Sequence, residues 1–146
     1  MADDLRLATT GEARAILRSA HRLAIVGASA NPGRPSHEVM RYLLDAGYDC
    51  VPVNPGEGAI LGRPAYPDLA AAVAAGGPFD IVDVFRRPEA APEVARQAVE
   101  TGARALWLQL GVISPEAVRI AASAGLRVVM DRCTKIEHRA MRAGEG

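Results

Sequence analysis

A run of small and polar residues lies between the first strongly apolar segment of the chain and a predicted helix. The run reads Gly27-Ala28-Ser29-Ala30-Asn31-Pro32-Gly33-Arg34-Pro35-Ser36. The start of a helix offers unpaired backbone N–H groups and the positive end of the helix dipole, and both attract phosphate. The run therefore predicts a phosphate-binding loop, although an ordinary tight turn from strand to helix explains the same residues.

The glycine spacing in this loop excludes two familiar nucleotide signatures. Gly27 and Gly33 are too far apart for the G-x-G-x-x-G fingerprint of dinucleotide-binding folds. No G-K-[ST] sequence follows, so the loop is not that of a nucleoside triphosphatase. Hydride transfer and triphosphate hydrolysis are both disfavoured.

Polar side chains also follow the second and third predicted strands. Asn54 stands between Val53 and Pro55, where an NAD-binding fold usually has an acid that binds the ribose. A neutral asparagine does not repel a phosphate there, but the Asn-Pro pair can also simply begin a loop. Arg86-Arg87, directly after Phe85, can donate charge-assisted hydrogen bonds to a diphosphate or remain solvated loop charges.

The fourth predicted strand closes on Gln109, which is followed by Leu110, Gly111 and Val112. Gln109 is a polar residue in an otherwise apolar segment. It either lines a cleft or satisfies the edge of the sheet. Asp83, within the third predicted strand, is an unusual acid for a buried strand unless it bonds a neighbouring loop.

Cys133 follows the fifth predicted strand. Thr134 and Glu137 have the spacing of a capping box for a last helix, which would place Cys133 at the start of that helix near Arg132 and Lys135. Such a setting favours a reactive thiolate, whereas a buried cysteine is inert. Both readings remain open on the residues alone.

Composition limits the partners. Lys plus Arg equals Asp plus Glu at 17 each, so nothing indicates nucleic acid, and any positive surface must be local. Arg34, Arg63 and Arg132 fall in predicted strand-end loops and suggest a positive rim. The three histidines and two cysteines have no metal-ligand spacing, and no serine lies in a G-x-S-x-G elbow.

The chain of 146 residues fits a single domain, 1–146, with a core over about 15–140. The polar, acidic start MADDLRLATTGEARA does not resemble a charged-then-apolar leader, and no apolar run is long enough to cross a membrane. Cys50 and Cys133 form no C-x-x-C pair. We therefore expect a reduced, cytoplasmic protein without a membrane partner.

The elements that must position these residues alternate along the chain. Five short segments rich in Val, Ile and Leu read as buried parallel strands: LAIVGA, YDCVPVN, DIVDVF, ALWLQLG and RVVMD. Helical spacing predicts helices at about 10–20, 36–46, 89–101 and 114–124, with a short one near 68–74. Thr9 and Glu12 form a predicted capping box. Alternation of this kind predicts a doubly wound α/β sheet with ligands at the carboxyl ends of its strands.

Taken in order, VGASANPGRPS, VPVNP, DIVDVFRRPE, WLQLGV and DRCTKIEH resemble the stand-alone CoA-binding proteins. These are similar to the CoA-binding domain of the succinyl-CoA synthetase α subunit and of the ADP-forming acyl-CoA synthetases. The resemblance covers about residues 15–140. It implies a single Rossmann-like doubly wound domain with a mainly parallel five-stranded sheet that binds coenzyme A.

The resemblance also implies roles for the strand-end residues. Gly27, Ala28, Ser29, Asn31, Pro32 and Ser36 would hold the phosphates, with Ala30 and Arg34 in the same loop. Val53 and Asn54, followed by Pro55, would flank the adenosine. Arg86 and Arg87, next to Phe85, would reach the phosphates, and Gln109 to Val112 the pantetheine arm.

The expected function is binding of CoA or an acyl-CoA without complete catalytic machinery, because the related synthetases need a phosphorylated histidine on a further domain. The alternatives are an NAD(P)-dependent oxidoreductase and a redox sensor that uses Cys133. We hypothesise that Cys133 forms a mixed disulfide with the CoA thiol. A homodimer is a further expectation, although no residues define its interface.

Overall fold

The computed structural model describes residues 6–145, which contain six α-helices. The helices are α1 (Thr10–Ser19), α2 (Pro35–Asp45), α3 (Leu69–Gly76), α4 (Ala91–Glu100), α5 (Pro115–Ser123) and α6 (Thr134–Glu145). The five strands of the main sheet are β1 (Arg22–Val26), β2 (Asp49–Val53), β5 (Ile81–Val84), β6 (Ala105–Leu108) and β7 (Arg127–Val129). No helix in this part of the chain has both the length and the apolar character needed to cross a membrane.

All neighbouring strands of the main sheet are parallel, in the order β2-β1-β5-β6-β7. From β1 the chain moves outward to β2, and from β5 it moves outward in the other direction to β6 and β7. The strand order therefore reverses between β1 and β5. In open α/β sheets this reversal opens a crevice at the carboxyl ends of the strands, since the two flanking loops diverge there. The predicted fold class is confirmed.

Helices cover the sheet on both faces, and each face has its own apolar core. On one face α1, α2 and α6 pack over Leu23, Ile25 and Trp107. On the other face α3, α4 and α5 pack over Ala24, Val82 and Leu106. Because both faces are buried, the strands carry nearly continuous apolar residues, as the sequence indicated.

The helix ends follow their sequence signals closely. Thr9 and Glu12 form the predicted capping box at α1, and the side chain of Ser114 caps α5 ahead of Pro115. Asp68 caps the short helix α3, which was expected near 68–74. Pro88–Ala90 form a 3-10 turn, so that α4 begins slightly later than expected.

One element of the structure was not predicted from the sequence. A two-stranded antiparallel hairpin, β3 (Ala59–Ile60) with β4 (Arg63–Pro64), lies in the segment that the sequence indicated to be irregular. Its strands are too short to show an alternating pattern. Its turn places Leu61 in the left-handed region at φ 52°, where glycine or asparagine is the usual signal.

Candidate functional site

One large cleft lies at the carboxyl ends of the strands, with a volume of about 1340 Å³. It exceeds the roughly 300–1,000 Å³ of pockets for drug-sized ligands, so it suits an extended ligand. The predicted residues that line it are Gly27, Ser29, Arg34, Ser36, Asn54, Pro55, Phe85, Arg86, Arg87, Gln109, Leu110, Gly111, Val112 and Cys133. The loops that follow β1, β2, β5, β6 and β7 thus converge on one site.

The loop after β1 packs tightly against the end of β5. Gly27 has φ +88°, and its N–H donates to the Val53 carbonyl at 2.9 Å. A Cβ on Gly27 would lie 2.8 Å from the Phe85 carbonyl oxygen. Only glycine fits this position, because any side chain would push the two strand ends apart.

The same loop is held by one hydrogen bond from the end of β2 and by two hydrogen bonds within the loop. Asn54 Nδ2 donates to the Ala28 carbonyl at 2.6 Å and ties the end of β2 to the loop. Within the loop, the Asn31 N–H donates to Ser29 Oγ at 3.0 Å and the Gly33 N–H donates to Asn31 Oδ1 at 2.9 Å. Asn54 therefore braces the loop through its side chain.

Three exposed arginines line the cleft: Arg34, Arg86 and Arg87. Their side chains form no hydrogen bond or ion pair with any other residue of the 6–145 segment. Arg34 is the N-cap of α2 and makes no capping hydrogen bond through its side chain. Glu57 and Glu89 also line the cleft, so its positive charges exceed its negative charges by one.

The prediction that Arg63 and Arg132 extend the positive rim of the cleft is wrong. Arg63 pairs with Asp49, at the amino end of β2 and away from the cleft. Arg132 contacts Glu137 at 3.4 Å, and Lys135 contacts Glu38 at 2.6 Å. Acidic partners on β2, α2 and α6 thus neutralise Arg63, Lys135 and Arg132, whereas the three cleft arginines have no such partner among the described residues.

The capping box predicted at Thr134 and Glu137 is also wrong. Thr134 is completely buried, and its hydroxyl donates to Asp83 Oδ2 at 3.0 Å instead of capping α6. Glu137 accepts from Arg14 Nε at 3.0 Å. The backbone carbonyl of Cys133 accepts the first helical N–H, that of Glu137, so Cys133 occupies the N-cap position.

Gln109 both lines the cleft and reaches into the core, where its Nε2 donates to Asp83 Oδ1 at 2.7 Å. Burial raises the pKa of Asp83 to about 7, although the hydrogen bonds from Gln109 and Thr134 favour the charged form. The two cysteines differ in position. Both are buried in the same apolar core, but Cys133 is 9% exposed and lines the cleft, whereas Cys50 is completely buried and its pKa is raised by burial to about 12.

Some predicted residues do not line the cleft. Ala28 and Val53 are buried in the core, and Ala30, Asn31 and Pro32 lie on the outer part of the loop. Sequence reasoning missed these lining residues: Pro35, Val39, Glu57, Pro88, Glu89 and Ala90. They lie in the first turns of a helix or in a loop several residues after a strand. The path of those loops in the fold, which the sequence does not show, brings them to the cleft. Within residues 6–145 there is no cluster of His, Cys, Asp or Glu that could hold a metal ion.

The sequence matches the family model of the CoA binding domain over residues 21–139. Among curated proteins, the uncharacterized protein YneT of Bacillus subtilis (strain 168) is 42% identical over 127 residues, which is 87% of this chain and 92% of that protein. The family match covers every strand-end loop of the cleft.

Solved structures share the architecture. A hypothetical protein from Pyrococcus horikoshii OT3 is 37% identical, with a TM-score of 0.86 and coverage of 92% of each chain. The dinucleotide forming acetyl-coenzyme A synthetase 1 of Ca. Korarchaeum cryptofilum is 23% identical with a TM-score of 0.66, covering 75% of this chain and 25% of that one. At that identity the likeness concerns the fold alone.

Proposed function

Because the chain belongs to the CoA binding domain family, we propose that it binds coenzyme A or an acyl-CoA in the cleft at the carboxyl ends of its parallel strands. The observation that carries this proposal is the set of three cleft arginines without acidic partners. They lie beside a loop whose first residue, Gly27, can only be glycine. CoA would supply a thiol that carries acyl groups. The chain would supply binding, without complete catalytic machinery of its own.

The cleft fits the chemistry of this ligand. CoA carries a diphosphate and a phosphate monoester, and a monoester has a charge of about −1.5 to −2 at neutral pH. Arg34, Arg86 and Arg87 can form charge-assisted hydrogen bonds to such groups. Ser29, Ser36 and the uncapped start of α2 add neutral donors on the same side.

The other end of the cleft suits the pantetheine arm. Leu110 and Val112 provide apolar surface, and Gln109 and Cys133 provide polar groups. Two residues that were expected to flank the adenosine, Val53 and Asn54, are proposed to act differently. Val53 is buried in the core and Asn54 is engaged with Ala28, so both act by shaping the pocket rather than by exposing polar groups.

Calorimetric titration with CoA, dephospho-CoA, NAD and NADP tests the proposal, after mass spectrometry of the purified protein for a co-purified ligand. We expect micromolar or tighter binding of CoA and weaker binding of dephospho-CoA. The double variant Arg86→Ala/Arg87→Ala should lose about tenfold or more in CoA affinity, since hydrogen bonds to charged groups contribute about 1.5–3 kcal/mol each.

Arg119→Ala is the matched control, because Arg119 is an exposed arginine on α5 outside the cleft. It should bind CoA like the wild type. Binding of NAD or NADP with no heat from CoA would contradict the proposal and favour an oxidoreductase. Equal losses in the control and the double variant would place the arginine effect outside the cleft.

The position of Cys133 in the cleft supports a second, redox role. A Cys133 thiolate attacking oxidised CoA disulfide would form a mixed disulfide and release one CoA thiol. Mass spectrometry after incubation with CoA disulfide should show the adduct on Cys133 and none on the buried Cys50. An unmodified Cys133 rules out the mixed disulfide. Faster oxidation of Cys133 than Cys50 by peroxide, with no CoA binding, would indicate a redox sensor instead.

A further inference from the structure

A closed triangle of hydrogen bonds lies beneath the cleft. Asp83 is completely buried in the middle of β5, beside Ile25 and Trp107 in the sheet register. Its Oδ1 accepts from Gln109 Nε2 at 2.7 Å and its Oδ2 accepts from Thr134 Oγ1 at 3.0 Å. Gln109 Nε2 also donates to Thr134 Oγ1 at 2.9 Å, which closes the triangle.

Above about pH 7, where Asp83 is ionised, the chemistry of these groups fixes the direction of every bond. An ionised carboxylate only accepts, so Gln109 and Thr134 must both donate to Asp83. The single hydrogen of the Thr134 hydroxyl is then used, and its oxygen accepts the second hydrogen of the Gln109 amide. The reversed amide would place Gln109 Oε1 against a carboxylate oxygen, which is repulsive.

The amide oxygen of Gln109 is therefore turned away from the triangle. Among the described residues, none donates to Gln109 Oε1, yet no buried side-chain nitrogen or oxygen lacks a partner. The oxygen must therefore keep contact with solvent. Since Gln109 lines the cleft, the cleft is the open side.

We propose that Asp83 and Thr134 are positioning residues that turn the Gln109 amide oxygen toward the cleft, where it accepts a hydrogen bond from an N–H or O–H group of the pantetheine arm of the ligand. This inference rests on the proposed binding of CoA. The Gln109 amide oxygen favours a ligand whose arm has a hydrogen-bond donor at this point, because a ligand acceptor there would face a second acceptor.

Two substitutions break the triangle and one preserves it. In Asp83→Asn one of the two acceptor oxygens becomes a donor nitrogen, so both orientations of the Gln109 amide find partners and its oxygen is no longer held toward the cleft. Thr134→Val removes the hydroxyl at nearly constant volume. Thr134→Ser keeps the hydroxyl and is the matched control.

Calorimetry with two ligands separates positioning from general damage. The probes, used at a pH above about 7 so that Asp83 is ionised, are CoA and adenosine 3′,5′-bisphosphate, which lacks the pantetheine arm. Asp83→Asn and Thr134→Val should weaken CoA about three- to tenfold, the effect of one hydrogen bond, and leave the bisphosphate unchanged. Thr134→Ser should bind both ligands like the wild type. Unchanged CoA affinity in both disruptive variants overturns the proposal, as do equal losses for the two ligands.

A measurement without ligand tests the positioning independently. The side-chain amide protons of Gln109 should exchange slowly with solvent in the wild type and in Thr134→Ser, and faster in Thr134→Val. If the wild type shows this protection but does not bind CoA, the proposed function fails while the orientation of Gln109 stands. Fast exchange in the wild type overturns the orientation itself.

Discussion

Asp83 is the residue at which stability and binding oppose each other. A carboxylate in the core is costly unless it is hydrogen-bonded, and burial raises the pKa of Asp83 to about 7. An apolar residue would suit this core position better, judged by stability alone. Among residues 6–145, the donors to Asp83 are Gln109 and Thr134, and Gln109 is the one that reaches the cleft.

The pH dependence of stability should reveal this cost. Between about pH 4 and pH 7 the folded protein holds a proton on Asp83 that the unfolded chain has released, so this group makes the free energy of unfolding fall as the pH rises. Asp83→Asn removes that contribution. The stability of Asp83→Asn relative to the wild type should therefore rise by up to about 1.4 kcal/mol per pH unit across this range and level off above about pH 7. Urea unfolding at several pH values measures the difference.

Asp45→Asn is the control for this experiment, because Asp45 is exposed at the end of α2. Its stability relative to the wild type should change little between pH 5 and pH 7. A difference for Asp83→Asn that is equally flat over this range would show that Asp83 is ionised throughout. The buried carboxylate would then carry no pH-dependent cost.

At the scale of elements, the cleft depends on how closely the end of β1 approaches the end of β5. Gly27 lets the two meet, and its N–H also holds the end of β2 through the Val53 carbonyl. Three strands are thereby tied together at one residue, directly below the loop that precedes α2. A change at Gly27 should affect both the fold and the site.

Gly27→Ala should destabilise the protein by about 1–3 kcal/mol, since alanine is strained at a positive φ and its Cβ meets the Phe85 carbonyl. The same variant should weaken CoA binding, because the loop and Arg86 must shift. Thermal unfolding and calorimetry measure the two effects.

Gly11→Ala is the matched control, because Gly11 lies in α1 and an added Cβ would meet no atom within 4 Å. It should leave CoA affinity unchanged and raise stability by up to about 1 kcal/mol, since alanine favours helix. Equal stability of Gly27→Ala and the wild type would mean that the strand ends can separate without cost.

Local signals in the sequence predicted most of the elements, because capping side chains and glycines act on their own neighbours. Thr9, Asp68 and Ser114 cap helices that were expected close to those positions. Thr134 has the same local signal, but its hydroxyl bonds Asp83 from a distant strand. Local patterns do not show such long-range competition for a hydroxyl, nor the acidic partner that removes Arg63 from the cleft.

The convergence of strand-end residues was predictable for a related reason. A parallel sheet brings the carboxyl ends of all its strands to one edge, so the residues after Val26, Val53, Val84 and Leu108 had to meet once the strands were identified. Which side chains face the cleft was not predictable. Val53 and Asn54 are adjacent, yet one is buried in the core and the other braces a loop.

For the whole molecule, charge is balanced overall and uneven locally. The chain has no net charge, so long-range attraction for a polyanionic ligand is absent. Many of its arginines pair with carboxylates, whereas the three in the cleft do not. Affinity for a charged ligand should then depend on this local group alone.

Salt dependence tests that reasoning. Salt shortens the range of charge interactions from about 10 Å at 0.1 M to about 3 Å at 1 M, so CoA affinity should fall over this range. The fall should be steeper for CoA than for dephospho-CoA, which lacks the phosphate monoester. Arg86→Ala/Arg87→Ala should flatten the dependence, while Arg119→Ala should keep it. Equal salt dependence of CoA affinity in the wild type and the double variant would mean that the whole surface, rather than the cleft, attracts the ligand. A chain with equal numbers of positive and negative side chains gives no reason to expect that result.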